Sequence, residues 1–324
     1  MLRAYAQAEG RLTPLEADDA ATLRGAVWID LMNPTALEEG LVSAALDLAA
    51  PTREDMEEIE ISSRLYVEDG AAFMTVTLPA DTDRDAPTLG AVSFVLSQGR
   101  LLTVRHSSPR AFETFPQRAE RAQLGCVDGD ATLLALLEAV IDRLADILER
   151  VGRDIDGLSR SVLRPGPGAA PKSADFQRVL RGVGRDGDLI AKVRDSLLTL
   201  TRLFSFLAQL QSPGLAAKDG RARIKTLTRD AHSLSEHADF LNQQITFLLD
   251  ATLGLINIEQ NAIIKTFSVA AVAFLPPTLI ASIYGMNFAV MPELSWPFGY
   301  PLALALMVVS AVAPLQYFKR RGWL

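Results

Sequence analysis

Two long runs without charge occupy the C-terminal part of the chain. The first extends over residues 266–292 and the second over residues 294–318, and only Glu293 separates them. A helix needs about 20 apolar residues to cross the roughly 30 Å hydrocarbon core of a bilayer, and each run is long enough. The pattern therefore predicts two transmembrane helices joined by a short loop.

The charges around these runs predict the orientation of the hairpin. Lys265 precedes the first run, a cluster at residues 319–321 follows the second, and the loop between them has no Lys or Arg. Because cytoplasmic loops carry the excess of Lys and Arg, both termini are expected in the cytoplasm and the loop outside. The N-terminal residues lack the apolar stretch of a secretory signal, so we expect a two-span protein of the bacterial inner (plasma) membrane. The aromatic residues expected at the outer and inner membrane boundaries are Trp296, Phe298, Tyr300 and Trp323.

Before the two predicted transmembrane helices, the pattern of apolar residues changes once, from strand-like to helical. Short β-branched and aromatic segments bounded by Gly, Pro or Asp predict strands up to about residue 125. Two helical segments, residues 35–48 and 53–61, lie between them. We therefore predict a cytoplasmic α/β domain whose strand order stays open. The predicted strands are residues 26–31, 73–78, 92–96 and 101–104.

From about residue 130 onward, apolar residues recur with a helical period. Apolar residues between 133 and 148 form one face of a first helix, with charges opposite. Pro and Gly at 165–168 predict a turn, and a second helix is expected over residues 174–210. A third helical pattern begins near Ala222 and contains no proline before Pro276. At about 1.5 Å per residue it is too long to lie in the membrane alone, so we expect a stalk helix that continues into the first span.

Together these patterns predict an α+β membrane protein. It has a cytoplasmic α/β domain, a long helical hairpin, and a very long stalk helix that continues into the first of two transmembrane helices. The predicted segments are 1–125 for the α/β domain, 126–212 for the hairpin, 213–262 for the stalk, 263–284 for the first span, 285–300 for the outer loop, 301–319 for the second span and 320–324 for a basic cytoplasmic tail.

Composition excludes several classes of function. The formal charge is −7 although the membrane hairpin is net basic, so the preceding part is strongly acidic. Such a region repels phosphates, so no nucleic-acid partner is expected, whereas it suits a domain that meets cations. The single cysteine, Cys126, allows no intrachain disulfide, and with three histidines it cannot complete a closed zinc site. Because no catalytic constellation is visible, we expect neither an enzyme nor an organic cofactor.

One row of residues along the first span is small or polar for most of its length. Its members are separated by alternating steps of three and four residues, which keeps them on the side of a helix that faces a common axis. Small residues are also typical of ordinary helix packing, whereas polar groups in a membrane usually face a bundle interior or a water path. Two asparagines and an aspartate favour the water path. This axial row consists of Asp250, Gly254, Asn257, Asn261, Ile264, Ser268, Ala271, Leu275 and Thr278.

A chain with two spans cannot enclose a pore by itself. Several copies are therefore expected around one axis, with the stalk-derived helix inside and the uniformly apolar second span outside, against lipid. The expected partners are copies of the chain itself, membrane lipid and divalent cations.

Short motifs before, between and after the two spans form a specific set. They are Ile256-Asn-Ile-Glu-Gln-Asn261, Phe274-Leu-Pro-Pro-Thr278, Tyr284-Gly-Met-Asn-Phe288, Met291-Pro-Glu-Leu294, Phe298-Gly-Tyr-Pro301, Tyr317-Phe-Lys-Arg320 and Trp323-Leu324. Together they resemble the CorA family of magnesium transport proteins, and its enterobacterial-type branch in particular. Agreement is thinner earlier in the chain, at Val27-Trp-Ile-Asp-Leu31 and Val127-Asp-Gly129.

The resemblance implies a homopentameric, funnel-shaped channel for Mg²⁺, with Co²⁺ and Ni²⁺ as further candidate ions and with Gly285, Met286 and Asn287 as the selectivity filter. Mg²⁺ releases its water reluctantly, so five Asn287 amide oxygens suit a filter that recognises the hydrated ion. Gly285 is expected to permit a sharp turn out of the helix. Tyr284 is expected to pack behind the filter, and Glu293 to concentrate cations at the entrance.

The resemblance also assigns pore-lining positions, which are members of the axial row. Leu275 and Ile264 are candidate hydrophobic constrictions, where the family often has methionine. The candidate stations for a hydrated ion are Thr278, Asn261 and Asp250, and the other pore-lining residues are Ala271, Ser268 and Asn257.

Closure by cytosolic Mg²⁺ is a further implication of the resemblance. The ion would bridge acidic residues of neighbouring cytoplasmic domains, although a solvated acidic surface explains the same clusters equally well. Mg²⁺ is thus expected both as the transported and as the regulatory ion. The candidate regulatory residues are Asp81, Asp83 and Asp85, or Glu54, Asp55, Glu57 and Glu58.

Two other functions compete with a passive Mg²⁺ channel. The related zinc transporter branch, ZntB, is thought to be proton-coupled and typically has valine or isoleucine in the middle of the filter triplet, so Met286 argues against it. A two-span sensor that passes no ions is the other alternative. The outer loop is too short to hold a sensory domain, which argues against that function.

Overall fold

A mixed sheet occupies the first part of the computed structural model, which describes residues 1–16, 19–58, 60, 64–84, 86–163, 173–287, 291–292 and 296–322. Its strands are β1 (Leu2–Ala8), β2 (Arg11–Leu15), β3 (Trp28–Met32), β4 (Leu65–Glu68), β5 (Ala71–Ala80), β6 (Thr88–Ser97) and β7 (Arg100–Arg105). They are ordered β2-β1-β3-β7-β6-β5-β4. β3 and β7 run parallel, and the other neighbouring pairs are antiparallel.

The four strands predicted from the sequence are confirmed as β3, β5, β6 and β7. β1, β2 and β4, which lie at or near the two edges of the sheet, were not predicted from the sequence. These strands are short or half-exposed, so their burial pattern is weaker than that of the central strands.

The helices that accompany and follow the sheet include three that are longer than thirty residues. In chain order they are α1 (Ala20–Leu23), α2 (Ala36–Leu46), α3 (Arg53–Glu57), α4 (Arg110–Arg121), α5 (Gly129–Leu163), α6 (Ser173–Leu207), α7 (Pro213–Ala216), α8 (Lys218–Tyr284) and α9 (Gly299–Arg320). The predicted helix over residues 53–61 was too long, because the backbone leaves the helical region at Glu58, with ψ of 140°. α6 ends at Leu207 rather than at residue 210, and α8 begins at Lys218 rather than near Ala222. The predicted turn at 165–168 lies outside the described residues.

The aromatic centre of the sheet is Trp28, which is fully buried. Its ring stacks on Tyr5 with centroids 4.8 Å apart and meets Phe115 of α4 edge-on at 5.6 Å. Its indole Nε1 donates a hydrogen bond of 3.0 Å to Thr103 Oγ1 on β7. Trp28 therefore ties β1, β3, β7 and α4 together, which gives a structural reason for the Val27–Leu31 motif.

Gly129, the first residue of α5, packs directly against the sheet. A Cβ at this position would lie 2.5 Å from the backbone carbonyl carbon of Arg100. Any other residue would push α5 away from β7. The Val127-Asp-Gly129 motif thus fixes where the helices leave the sheet.

The chain divides into two compact units, Met1–Leu249 and Asp250–Leu324. In the first unit, α6 is attached to the sheet through Thr199, whose Oγ1 accepts a hydrogen bond of 3.2 Å from the backbone N–H of Thr77. The second unit contains the C-terminal part of α8 and all of α9. Among the described residues, α8 and α9 are the two helices that are long and apolar enough to cross a membrane, as the two uncharged runs predict.

Candidate functional site

Every member of the axial row is exposed to solvent in the single chain. The row extends along α8 from Asp250 to Thr278, and each of its residues belongs to the exposed class. By contrast, the buried positions in this part of α8 are Thr252, Val269 and Ala273, all outside the row. The row is therefore one continuous surface of α8 that the second unit leaves uncovered.

The polar members of the row keep oxygen atoms available to a ligand. Thr278 Oγ1 donates a hydrogen bond of 2.7 Å to the Phe274 carbonyl one turn earlier, which leaves the hydroxyl oxygen as an acceptor. Asn257 and Asn261 lie one turn apart, and both side chains are exposed. Amide and hydroxyl oxygens at such positions can accept hydrogen bonds from the water shell of a cation.

Two large apolar members interrupt these polar positions. Ile264 is 61 % exposed and Leu275 is 66 % exposed. They lie on the same surface as Asn261 and Thr278, so the row alternates between sites that attract water and sites that repel it. Where several copies of such a row surround an axis, the apolar levels would be narrow and dry.

The Gly-Met-Asn triplet begins where α8 ends. The backbone N–H of Gly285 still bonds to the Ala281 carbonyl at 2.9 Å, and that of Met286 bonds to Ile283 at 3.3 Å. Met286 is 49 % exposed and Asn287 is also exposed.

Gly285 lies in the turn that follows the end of α8 at Tyr284. Gly285 is not among the glycines with positive φ, so the turn does not use the left-handed region that favours glycine. A Cβ on Gly285 would instead lie 3.0 Å from the Ala281 carbonyl oxygen. The lack of a side chain lets the helix end tightly at this point.

Tyr284 and Gly285 face the second membrane helix. They line a cavity of about 380 Å³ together with Trp296 and with Tyr300 and Ala303 of α9. Tyr284 is half-buried. The structure thus brings Tyr284 behind the triplet, next to the aromatic residues expected at the outer membrane boundary. Glu293, Phe288 and Trp323 lie outside the described residues.

The acidic residues proposed for regulation are engaged within the chain. Asp81 forms an ion pair of 3.0 Å with Arg84. Asp83 lies among three arginines: Arg110 at 3.3 Å, Arg143 at 3.0 Å and Arg150. The hydrogen bond from Arg150, assisted by the charge of Arg143, holds the pKa of Asp83 below its usual value. Asp85 lies outside the described residues.

Two members of the second acidic cluster, Asp55 and Glu57, have local partners as well. Asp55 closes a capping box with Thr52, whose hydroxyl and backbone bonds lower the pKa of Asp55. Glu57 forms an ion pair of 2.7 Å with Arg53. Among the described residues, no group of three or more His, Cys, Asp and Glu side chains could hold a metal ion.

Two features of the first unit were missed by the sequence analysis. Asp186 of α6 is only 2 % exposed, and its Oδ2 has no hydrogen-bond partner in the described part of the chain. The burial of Asp186 could have been predicted from the sequence, because Asp186 lies three residues from both Val183 and Leu189 and so shares a helix face with apolar residues. The second feature is a pair of exposed aromatic rings on α8, Phe240 at 52 % and Phe247 at 66 %. They precede Gly254 of the axial row at seven-residue steps, a spacing that was visible in the sequence.

Comparisons with known proteins agree with the resemblance seen in the motifs. A family model described as CorA-like Mg2+ transporter protein matches residues 24–320. Among its relatives, the magnesium transport protein CorA of Mannheimia succiniciproducens is 37 % identical over 324 residues and that of Escherichia coli (strain K12) is 38 % identical over 327 residues. Both alignments cover all of this chain and all of the relative.

Solved structures show the same fold at lower identity. The complete structure of the CorA magnesium transporter from Methanocaldococcus jannaschii has a TM-score of 0.77 and 21 % identity, covering 100 % of this chain and 99 % of that one. The cytoplasmic domain of ZntB from Vibrio parahaemolyticus has a TM-score of 0.57 and 10 % identity, covering 79 % of this chain and 97 % of that one. The predicted fold class, an α/β domain followed by long helices and a two-helix hairpin, is confirmed.

Proposed function

Because the chain belongs to the CorA-like Mg2+ transporter family, we propose that it carries Mg²⁺ across the bacterial inner membrane through a pore lined by the axial row of α8. The members of this family are named as transporters, which confirms the expectation from the sequence that the protein is not an enzyme. The observation that carries the proposal is the uninterrupted exposure of the axial row, from Asp250 to Thr278, directly before the Gly-Met-Asn triplet.

We propose a ring of five copies with α8 inside and α9 outside. A single α8 exposes its row on one side only, so a closed path needs several copies. Phe240 and Phe247 support this arrangement, because two large exposed rings at seven-residue spacing are typical of a surface that packs against another helix. α9 carries no charge before its last turn, as suits a helix in contact with lipid.

The proposed filter consists of Asn287 from each copy, supported by Gly285 and Met286. Mg²⁺ holds its water strongly, so neutral amide oxygens that accept hydrogen bonds from the hydrated ion allow fast entry and fast release. Carboxylates would bind the ion more tightly and slow its release. Tyr284 supports the triplet from the cavity shared with α9, and Glu293 is proposed as a ring of negative charge at the entrance.

Below the filter, the ion is proposed to pass three polar stations and two apolar constrictions. Thr278, Asn261 and Asp250 are the stations, since each offers an oxygen on the exposed row. Leu275 and Ile264 are the constrictions, with the small residues Ala271 and Ser268 between them and Asn257 below. Hydrophobic levels of this kind gate a pore by losing water when the helices move together.

The membrane potential supplies the driving force in this proposal. With both termini cytoplasmic, the free energy of a divalent ion falls by about 4.6 kcal/mol per 100 mV of inside-negative potential when the ion moves inward. No nucleotide is needed for uptake. Co²⁺ and Ni²⁺ are proposed as further transported ions because they have the same charge and also hold a shell of water.

Closure by cytosolic Mg²⁺ is the regulatory part of the proposal. No metal-binding cluster forms within the described part of one chain, so the ion is proposed to bind between copies, around Asp81, Asp83 and Asp85. At Asp83 it would compete with three arginines, so the negative charge must come largely from the neighbouring copy.

Mg²⁺ uptake into proteoliposomes at a set voltage tests the pore. Asn287→Ala removes the proposed filter amide, and loss of roughly 1 kcal/mol per hydrogen bond at the ring lowers uptake by about tenfold or more. Asn242→Ala is the control, because Asn242 is an exposed asparagine of α8 outside the axial row. Equal uptake by the Asn287 variant and the wild type contradicts the filter. Uptake that requires a pH gradient supports a ZntB-like mechanism instead.

A further inference from the structure

Two rows of opposite charge lie on the helices of the first unit. The acidic row consists of Asp142, Asp146 and Glu149 on α5, and the basic row consists of Arg221, Lys225 and Arg229 on α8. All six side chains are exposed. Members of each row are three or four residues apart, so each row occupies one side of its helix.

Within one chain, the basic row points away from α5. Glu138 of α5 and Arg223 of α8 form a two-pronged ion pair, with distances of 2.8 and 3.0 Å, and this pair marks the sides on which the two helices meet. A helix turns by about 100° per residue, so the basic row lies roughly 160–240° around α8 from Arg223. The acidic row lies within about 80° of Glu138 on α5. The two rows therefore cannot neutralise each other in a single copy.

Few of these charges are compensated in the part of the chain that the structure describes. Asp142 has Arg118 at 3.8 Å, with both side chains more than 60 % exposed. Arg229 has its sequence neighbour Asp230 at 3.5 Å. Such exposed pairs contribute little, and the other four members of the rows form no ion pair with any described residue.

The two rows overlap in level along the bundle at one end of each. Glu138 pairs with Arg223, and further along both helices a Cβ on Gly152 would lie 3.5 Å from a methyl group of Leu241. α5 and α8 therefore run in the same direction, with residues 138–152 beside residues 223–241. Between these two anchors, Asp142 lies level with Arg229, whereas Asp146 and Glu149 lie further along the bundle than the basic row. Rotation about an axis parallel to these helices moves no copy along that axis, so Asp142 of one copy stays level with Arg229 of the next.

The surface beside the basic row also suits a packed contact. A groove runs along it, and its apolar and neutral lining includes Ala208 at the end of α6 and Ile224 and Thr228 on α8. A helix placed in this groove would bring its charged side against the basic row. Charge complementarity and an open groove thus occur together on one flank of the unit.

We propose that the acidic row on α5 of one copy docks on the basic row of α8 of the next copy, as a charged seam between neighbours. The seam is heterologous, with different patches meeting, as a closed ring requires. It fixes the order and level of the copies, because charge pairs specify register and orientation more than they add affinity. The inference rests on the proposed assembly around a shared axis.

Charge exchange tests the seam in the full-length protein in detergent, with assembly followed by native mass measurement against salt concentration. Asp142→Lys with Asp146→Lys, or Lys225→Glu with Arg229→Glu, places like charges opposite each other and lowers the assembled fraction by roughly tenfold or more at low salt. All four changes together restore attraction and assembly. Arg178→Glu with Arg181→Glu on α6 is the control with the same change in charge as Lys225→Glu with Arg229→Glu, and it leaves assembly unchanged.

Mixed cross-linking identifies the partner directly. Copies with Asp142→Cys and differently tagged copies with Arg229→Cys are produced in the same cells, and a cross-link between the two tags requires both cysteines. Native Cys126 is buried. A wild type that is monomeric overturns the proposed assembly and the seam with it. An oligomeric wild type whose assembly resists both reversals, with no mixed cross-link, overturns the seam alone.

Discussion

Asp30 and Arg105 form a buried, two-pronged ion pair between the parallel strands β3 and β7. Arg105 Nε donates to one carboxylate oxygen at 3.0 Å and its terminal nitrogen donates to the other at 2.8 Å. The side chain of Arg105 is 1 % exposed and that of Asp30 is 2 % exposed. The guanidinium also lies 5.0 Å from the centre of the Phe112 ring on α4. This pair fixes the register of the only parallel junction among the described strands.

Arg105→Ala is expected to lower the free energy of unfolding by about 3–5 kcal/mol, because it leaves the Asp30 carboxylate buried without a countercharge. Chemical unfolding of the purified protein, followed by circular dichroism, measures the change. Arg53→Ala is the control, since the Arg53–Glu57 pair is more than 60 % exposed on both sides and should change stability by less than about 1 kcal/mol. Similar losses for the two variants would show that the buried pair has no special role.

Gly285→Ala is expected to impair transport without unfolding the protein. The new methyl group would lie 3.0 Å from the Ala281 carbonyl oxygen, so the chain must shift by a few tenths of an ångström where the filter begins. Mg²⁺ uptake into proteoliposomes should fall by about tenfold, given how steeply transport depends on the position of ligand groups.

Gly184→Ala on α6 is the comparison for Gly285→Ala, because Gly184 is an exposed helical glycine outside the axial row. A Cβ at Gly184 meets nothing within 4 Å, and alanine favours a helix by about 1 kcal/mol over glycine. We expect a slightly higher melting temperature for this variant. Full uptake by Gly285→Ala would remove the steric argument for a glycine at the filter.

Ile264→Asn is expected to weaken closure of the pore. A polar side chain at an apolar constriction keeps water in the closed path, so uptake at high internal Mg²⁺ should exceed that of the wild type by several-fold. Ile263→Asn is the control, because Ile263 is also exposed but lies outside the axial row. Uptake in proteoliposomes loaded with and without internal Mg²⁺ separates the two variants. Equal leakage from both would place the constriction elsewhere.

The membrane hairpin and the axial row could be predicted from the sequence because their signals are local. Charge-free runs, a seven-residue period and the triplet at residues 285–287 are each visible within a few tens of residues. The sheet was harder to predict, because the order that places β7 between β3 and β6 depends on partners far apart in the chain. The edge strand β4 has no fully buried residue, so no hydrophobic pattern marks it.

Individual polar contacts were also beyond the sequence. The acidic residue Asp83 gives no sign that Arg110, Arg143 and Arg150 converge on it, because those arginines come from α4 and α5. For Asp186, the sequence predicts burial, because the residue shares a helix face with apolar residues. It does not predict that Oδ2 of Asp186 has no hydrogen-bond partner in the described part of the chain. Burial can be predicted from periodicity, whereas pairing requires the fold.

Asp186 and Asp83 are expected to give stability opposite dependences on pH. Burial raises the pKa of Asp186 above its ordinary 3.8, against the lowering effect of Arg185. Asp186 lines a cavity of the first unit, and the other charged residues that line it include Arg150, Asp154, Asp83 and Arg84. At pH values between 3.8 and the raised pKa, the native state therefore binds more protons at Asp186 than the unfolded chain does. Its stabilising contribution is complete below pH 3.8 and disappears as the pH rises through the raised value.

Asp186→Asn should remove the decrease in stability that occurs when Asp186 loses its proton. The free energy of unfolding near neutral pH should rise by about 1–3 kcal/mol, because a buried carboxylate without full hydrogen bonding destabilises the native state. Asp83→Asn is the matched comparison. The pKa of Asp83 is lowered by its arginines, so its contribution is present above its ordinary pKa and is lost as the pH falls. Melting temperatures of the wild type and both variants between pH 4 and pH 8, at constant ionic strength, measure the two slopes. Parallel pH profiles for the Asp186 variant and the wild type would mean that Asp186 remains charged throughout this range.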